Sequence, residues 1–166
     1  LCVSFIVRSM LAFVVVVNLL NFSLQIIARN PLAVAVGITS RREYMEKRQP
    51  GYASALSLLN NVPHNAKIYF LFEPRSYGMN AYVQPDSINV NFAHDVWLNK
   101  TPENMVKSWK LQGYTHVLLS KTGAEFIFKN ESFLTPKDEL LLRKVETLLI
   151  IVGESQSGDY VLYKIP

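Results

Sequence analysis

An uncharged apolar stretch near the N-terminus constrains this chain more than any other feature. Residues 9–28 read SMLAFVVVVNLLNFSLQIIA, which is twenty residues without a formal charge. As an α-helix rising about 1.5 Å per residue, this stretch is about 30 Å long and matches the hydrocarbon core of a bilayer. Its apolar core is longer than that of a signal peptide, and the following ARNP sequence is a poor cleavage site. We therefore predict a transmembrane helix over residues 1–29.

Polar side chains recur along this predicted helix. Near one face, at helical spacing, lie Ser4, Arg8, Asn18 and Gln25, with Asn21 beside them. Amides that face lipid are costly, so they usually point toward other helices or a cavity. We favour a helix that packs in a bundle as the last span of a polytopic protein. The first residue, Leu1 rather than Met, also favours a piece of a longer reading frame. The alternative is a lone anchor that tolerates its amides.

Charge around the predicted span favours a cytoplasmic location for the remainder of the chain. Only Arg8 precedes the uncharged stretch at 9–28, whereas five basic residues follow it: Arg29, Arg41, Arg42, Lys47 and Arg48. The positive-inside rule places such a flank in the cytoplasm. That rule is weaker for the last helix of a bundle, because earlier helices can determine its orientation.

Charge and cysteine content also limit the possible partners. The whole chain carries a formal charge of +4, and basic and acidic residues are interleaved along residues 100–146. No basic stripe of the kind that nucleic-acid binders use is present, so we expect no nucleic-acid partner. Cys2 is the only cysteine, which leaves neither a disulfide framework nor a cysteine-based metal site.

Residues 39–166 have the pattern of one small α/β domain, joined to the span by a linker over residues 30–38. The continuous apolar runs KIYFLF at 67–72 and THVLLS at 115–120 predict strands buried on both faces. Further strands are predicted at 87–90, 149–152 and 160–164, and helices at 40–48, 52–61, 102–111 and 137–148, with a helical turn at 94–98. We predict a three-layer α/β sandwich with a mostly parallel sheet and an antiparallel C-terminal hairpin.

The most suggestive polar residues follow the first predicted strand, in the sequence FEPRSY at 72–77. Ligands in open α/β sheets usually lie at the carboxyl ends of the strands. Glu73 could accept from a sugar hydroxyl or a cation, and Arg75 could bind a phosphate. The alternative is that the two side chains pair with each other or cap neighbouring backbone. Tyr77, His94 and Asp95 complete the set of candidate ligand-binding residues.

Sequence motifs for catalysis are missing. The chain has no GxSxG nucleophile elbow, no Walker loop and no dinucleotide-binding glycine loop. Adjacent His94 and Asp95 make a poor metal site, because neither helical nor strand geometry directs neighbouring side chains at one ion. We therefore assign no catalytic residue, no cofactor and no metal. A small enzyme built on Glu73, Arg75 and His94 is the weakest of the functional hypotheses.

Four segments carry a family resemblance. After the apolar span come SRREYM at 40–45, FEPRSY at 72–77, GYTHVLLS at 113–120 and YVLYKI at 160–165. This order resembles the C-terminal end of bacterial polytopic membrane glycosyltransferases of the type C superfamily, the dolichyl-phosphate-mannose–protein mannosyltransferase-like group. The resemblance covers nearly the whole chain, but none of the four segments is a catalytic signature.

The resemblance implies a polyprenyl-phosphate-linked sugar as donor and a catalytic acid in an early loop that this sequence does not contain. It implies an extracytoplasmic domain that assists folding, acceptor recognition or partner binding. Expected partners are the bilayer, other transmembrane helices of the same polypeptide and a glycan or polyprenyl-phosphate sugar held by the parent protein. The competing hypothesis is a single-pass anchored α/β binding or sensor module.

Overall fold

The computed structural model describes residues 2–60, 62–79 and 81–166, with side chains from residue 5 onward. The described chain divides into two compact units, Leu1–Arg48 and Gln49–Pro166. The elements, in chain order, are α1 (Cys2–Arg29), α2 (Pro31–Ala35), α3 (Arg41–Arg48), α4 (Pro50–Leu59), β1 (Lys67–Leu71), β2 (Tyr82–Gln84), α5 (Asn91–Asn99), α6 (Pro102–Leu111), β3 (His116–Ser120), α7 (Lys121–Asn130), α8 (Pro136–Thr147), β4 (Ile150–Glu154) and β5 (Tyr160–Lys164).

The first unit is dominated by α1, a single helix that ends at Arg29. Its Phe5–Arg29 part is long enough and apolar enough to cross a membrane. The side chains along this part are exposed, apart from a half-buried Ile26, as lipid-facing positions require. Leu1 and the side chain of Ser4, which belongs to the predicted polar face, lie outside the described residues.

Residues 30–48 turn the chain after α1. The predicted linker contains the short helix α2, with Pro31 at its first position, where a missing N–H costs nothing. The helix α3 begins where the sequence predicts, because the Ser40 hydroxyl accepts a hydrogen bond from the Glu43 backbone N–H over 3.1 Å.

The second unit is built on a five-stranded sheet in the order β2-β1-β3-β5-β4. β1 is parallel to β2 and β3, whereas β5 is antiparallel to both β3 and β4. Among the described strands, only β5 therefore runs against the common direction. The mostly parallel sheet with its antiparallel C-terminal hairpin is confirmed.

Two apolar cores separate the three layers of this unit. On one face, α4 covers alternate strand residues that include Ile68, Phe70, Leu118 and Leu162. On the other face, α5, α6, α7 and α8 cover the intervening residues, among them Leu71 and Leu119. Because strand side chains alternate between faces and both faces are covered, residues 68–71 of β1 and 117–119 of β3 carry no charged side chain and are buried. The predicted three-layer sandwich is confirmed.

Two local predictions are wrong, and one helix was missed. The helix α4 begins at Pro50, two residues before its predicted start, because proline fits the first helical position. It ends at Leu59, and Asn61, its predicted end, lies outside the described residues. The short strand β2 lies at Tyr82–Gln84, because residues 87–90 form a turn in which Asn89 has a positive φ of 56°. The helix α7 was not predicted at all.

Candidate functional site

Three chain segments meet at the carboxyl edge of the parallel strands. β1 ends at Leu71, and β3 ends at Ser120. Tyr160 opens the antiparallel strand β5 directly opposite Ser120 in the sheet register. This arrangement brings Glu73, two residues beyond β1, to the side chain of Tyr160. The edge is where the topology of an open α/β sheet favours a ligand.

Glu73 is the centre of this cluster and is only 1% exposed. Its Oε1 accepts from the Arg75 backbone N–H over 2.8 Å and from Arg75 Nε over 2.7 Å. Its Oε2 accepts from Arg75 Nη2 over 2.7 Å and from the Tyr160 hydroxyl over 2.5 Å. Both carboxylate oxygens are therefore engaged, and the geometry matches the internal pairing that the sequence left open. The same bonds raise the pKa of Arg75, which stays a cation.

Aromatic and amide groups surround the Arg75 guanidinium. It lies over the ring of Tyr52, 4.6 Å from the centroid, and Nη1 donates to Gln49 Oε1 over 3.2 Å. The Tyr77 hydroxyl donates to the same Gln49 oxygen over 2.5 Å. Tyr52 stacks against Tyr77 at 4.9 Å between centroids and donates its hydroxyl to the Tyr77 carbonyl over 2.8 Å. Burial raises the pKa of both Tyr52 and Tyr160, so these phenols remain protonated at neutral pH.

The cluster reaches solvent through two of its members. The side chain of Arg75 is 36% exposed and Tyr77 is 47% exposed, whereas Tyr52 and Tyr160 are buried. A ligand approaching this edge would meet a cation beside an aromatic ring. Glu73 is unsuited to act as a general base here, because its oxygens already accept four hydrogen bonds.

Asp86 is a fully buried carboxylate that sequence reasoning missed. Its Oδ2 accepts from the Phe72 backbone N–H over 2.9 Å, and its Oδ1 accepts from the Asn91 N–H over 3.0 Å. Asp86 thereby ties the end of β1 to the start of α5 and holds Phe72 at a positive φ of 59°. Burial raises the pKa of Asp86, although its backbone hydrogen bonds act in the opposite direction. The only signal in the sequence is an Asp after Pro85, a combination typical of turns.

His94 and Asp95 do not join the cluster around Glu73. Asp95 is buried and accepts from Trp109 Nε1 over 2.9 Å, within the core on the opposite face of the sheet. Burial raises the pKa of Asp95 to about 6. His94 is exposed on α5, with its ring 6.3 Å from that of Trp97. Adjacent helical residues project about 100° apart, so one side chain enters the core while the other meets solvent. Of the five candidate residues, Glu73, Arg75 and Tyr77 are therefore brought together.

A second concave region lies on the opposite face of the sheet. It is an open groove of about 800 Å³ between α7, α8 and β4. Its apolar lining includes Leu119, Phe128, Leu142, Ile151 and Tyr163, and its charged rim holds both signs. The Tyr163 hydroxyl donates to Glu146 Oε2 over 2.7 Å at this rim. The mixed charges favour no single class of ligand.

Among the described residues, no group of three or more His, Cys, Asp or Glu side chains is arranged to hold a metal ion. No family model, no curated protein and no solved structure matches the chain.

Proposed function

We propose that this chain is the membrane-anchored, non-catalytic C-terminal domain of a bacterial glycosyltransferase that uses a polyprenyl-phosphate-linked sugar. In that role it assists folding, acceptor recognition or partner binding. The observation that carries the proposal is the position of the resembling segments. FEPRSY follows β1, GYTHVLLS contains β3 and YVLYKI contains β5, and these are neighbouring strands. The bonds from Glu73 to Arg75 and Tyr160 join two of these segments directly.

The proposal gives the segments a structural task rather than a catalytic one. Glu73 is saturated by partners from its own domain, so the cluster braces the sheet edge and presents Arg75 and Tyr77 outward. A cation next to an aromatic ring suits a sugar phosphate or a glycan, because the guanidinium binds phosphate oxygens and the ring packs on sugar C–H groups. The catalytic acid then belongs to an early loop of the parent protein, and the domain faces the extracytoplasmic side.

One observation favours the alternative, a single-pass anchored binding or sensor module. Asn18 Nδ2 donates to the Val14 carbonyl of its own helix over 2.8 Å. This bond satisfies part of the amide within α1, which lowers the cost of facing lipid. A lone anchor is therefore compatible with Asn18, whereas Asn21 and Gln25 keep the bundle as the favoured interpretation.

Photo-crosslinking in native membranes separates the two proposals. A photoreactive residue at Gln25 samples the polar face, and one at Leu20, about 140° away around the helix axis, is the matched control. The glycosyltransferase proposal expects Gln25 to crosslink to apolar peptides of the same multi-span polypeptide and Leu20 to label mainly lipid. Labelling of lipid alone at both positions would reject it and leave the single-pass module.

A further inference from the structure

The net charge of the chain is confined to its first unit. Residues 1–48 hold six of the 17 basic residues but only two of the 13 acidic ones, which leaves a charge of +4. The other 11 basic and 11 acidic residues cancel within Gln49–Pro166. Five of the six basic residues of the first unit follow the apolar part of α1: Arg29, Arg41, Arg42, Lys47 and Arg48. The charge is therefore next to the membrane-spanning segment.

A specific contact brings α3 to the level of the last turn of α1. The Arg48 guanidinium donates to the Ala28 carbonyl, one of the terminal carbonyls of α1 that have no partner within the helix. Ala28 lies near the end of the Phe5–Arg29 segment, which meets the headgroup region if that segment spans the bilayer. In that case the Arg48 contact holds the C-terminal end of α3 at the depth of the lipid headgroups.

The face of α3 that contains Arg48 has no acidic residue. Arg41, Tyr44, Met45 and Arg48 have the i, i+3, i+4, i+7 spacing of a single helix face. The Arg48 guanidinium lies 5.9 Å from the centroid of the Tyr44 ring. Both glutamates of α3 project from the opposite side, where Glu46 pairs with Arg42 at 2.9 Å. One face of α3 thus combines basic side chains with an aromatic ring and a thioether, a composition typical of helices that lie in a membrane interface.

The segment between α1 and α3 adds exposed apolar side chains. Leu32 is 59% exposed, Val36 is 67% exposed and Ile38 is 80% exposed. All three lie within ten residues of Arg29. Apolar side chains beside a basic helix face match the two halves of a lipid interface, the acyl boundary and the charged headgroups.

We infer that residues 29–48 form a binding surface for anionic phospholipid headgroups of the bilayer that holds α1. Arg41 and Arg48 contact the lipid phosphates, Tyr44 and Met45 lie at the headgroup level, and Leu32, Val36 and Ile38 enter the acyl boundary. The inference rests on the membrane anchoring in the proposed function but not on the glycosyltransferase assignment. The inference gives the basic residues after α1 a role in binding lipid, in addition to any effect they have on the orientation of α1 in the membrane.

The test uses the full chain in phosphatidylcholine vesicles that contain trace spin-labelled lipid. Electron paramagnetic resonance measures how strongly spin-labelled phosphatidylglycerol associates with the chain, relative to spin-labelled phosphatidylcholine. We expect wild type to prefer phosphatidylglycerol, and Arg41→Gln/Arg48→Gln to reduce this preference about 30-fold, because each of the two lost basic contacts is worth about fivefold. The preference should also fall in about 1 M salt, because exposed charges are then screened.

Two variants serve as controls. Lys137→Gln/Lys144→Gln removes two exposed lysines with the same seven-residue spacing on α8 and should keep the full preference. Arg41→Lys/Arg48→Lys keeps the charge and should keep most of the preference, which distinguishes lost charge from a disturbed fold. If Arg41→Gln/Arg48→Gln keeps the full preference for phosphatidylglycerol, or if wild type shows no preference, the lipid-binding inference is wrong while the membrane anchoring stands. If the chain fails to float with the vesicles, the membrane anchoring and this inference both fall.

Discussion

Tyr160, the first residue of β5, donates its hydroxyl to Glu73 Oε2 across 2.5 Å, although the two residues lie 87 positions apart. The same hydroxyl oxygen accepts from Arg75 Nη2 over 2.7 Å. One phenol thus bridges a buried carboxylate and its guanidinium partner, and it connects the loop after β1 to the antiparallel strand β5. The geometry makes the sheet edge a single hydrogen-bonded unit.

Replacing this phenol should therefore destabilise the fold. We expect Tyr160→Phe to lower the free energy of unfolding by about 2 kcal/mol, as for a lost hydrogen bond to a charged group. The matched control is Tyr163→Phe, which removes a hydroxyl that bonds Glu146 at a partly exposed site and should cost less than about 1 kcal/mol. Urea titration of the full chain in detergent measures both values. Equal losses in the two variants would contradict a special role for Tyr160.

The Glu73–Arg75 pair should respond unequally to loss of either partner. Arg75→Met leaves a carboxylate that is 1% exposed without its cation, which we expect to cost about 3 kcal/mol. Glu73→Gln leaves a guanidinium that is 36% exposed and can be hydrated, so we expect about half that loss. The double variant should lose less than the sum of both, because the interaction is removed only once. Equal single effects that add in the double variant would mean that the pair is not coupled.

Substitutions at the same two residues test the hypothesis of an independent enzyme. If Glu73→Gln and Arg75→Ala both leave ligand binding and any hydrolase or transferase activity unchanged, a catalytic role for this edge is excluded. A loss of glycan binding in Arg75→Ala, with stability corrected for, would instead support acceptor recognition through the exposed guanidinium.

Much of this architecture could be predicted from the local sequence pattern. Buried strands and helices that begin with proline are determined by residues that are close in sequence. β1, β3 and α6 lie close to their predicted positions for that reason. The helix α7 was missed because it follows β3 without any loop. The Ser120 hydroxyl accepts from the Gly123 N–H over 3.1 Å and caps the helix at the last strand residue. A polar KTG sequence after a strand is more often a turn, and the cap becomes visible only in three dimensions.

The candidate site could be predicted only in part. Glu73 and Arg75 are two residues apart, so their pairing could be considered from spacing alone. Their bonds to Tyr160 depend on the antiparallel register of β3 with β5, which no sequence spacing encodes. Asp95 was grouped with the site because it adjoins His94, yet its partner is the buried indole of Trp109. A buried polar residue with a tertiary partner cannot be distinguished by spacing from one that lines a cleft.

Gly123 should not tolerate a side chain. A Cβ at this position would lie 2.3 Å from the Phe72 carbonyl oxygen and 3.0 Å from Ser120 Oγ. Alanine normally favours a helix by up to about 1 kcal/mol over glycine, but displacing backbone here should cost about 1–3 kcal/mol net. Gly51→Ala in α4 is the control, because its Cβ would meet only the Asp159 side chain at 3.3 Å and the Tyr160 ring at 3.9 Å. Thermal unfolding should show a lower midpoint for Gly123→Ala and little change for Gly51→Ala.

Asp95 should make stability depend on pH. Burial raises its folded-state pKa to about 6 from an ordinary 3.8, so the folded state binds this proton more tightly than the unfolded state. The stabilising contribution is fully present below about pH 3.8 and is lost as pH rises through 6, by about 3 kcal/mol in all. Asp95→Asn carries no charge, so its stability relative to wild type should increase by about 2.4 kcal/mol from pH 4 to pH 7. Asp86 is present in both wild type and Asp95→Asn, so its contribution cancels in the comparison. A stability difference between the two proteins that does not change with pH would contradict the raised pKa of Asp95.

Asn18 tests whether α1 packs against other helices. If α1 belongs to a bundle, Asn18→Leu should remove an interhelical contact of about 0.6–1.7 kcal/mol and reduce the yield of folded protein from native membranes. If α1 is a lone anchor, the same change removes a polar group from lipid, and the yield should stay constant or rise. Val16→Leu, about 160° away around the helix, controls for side-chain size at a similar depth. Asn18 donates one amide hydrogen to the Val14 carbonyl, so its second amide hydrogen and its Oδ1 are available to a neighbouring helix. Asn18→Asp keeps oxygen acceptors but adds a charge, so in a lone anchor it should lower the yield of folded protein below that of Asn18→Leu. A yield for Asn18→Leu equal to that of Val16→Leu would favour the single-pass module.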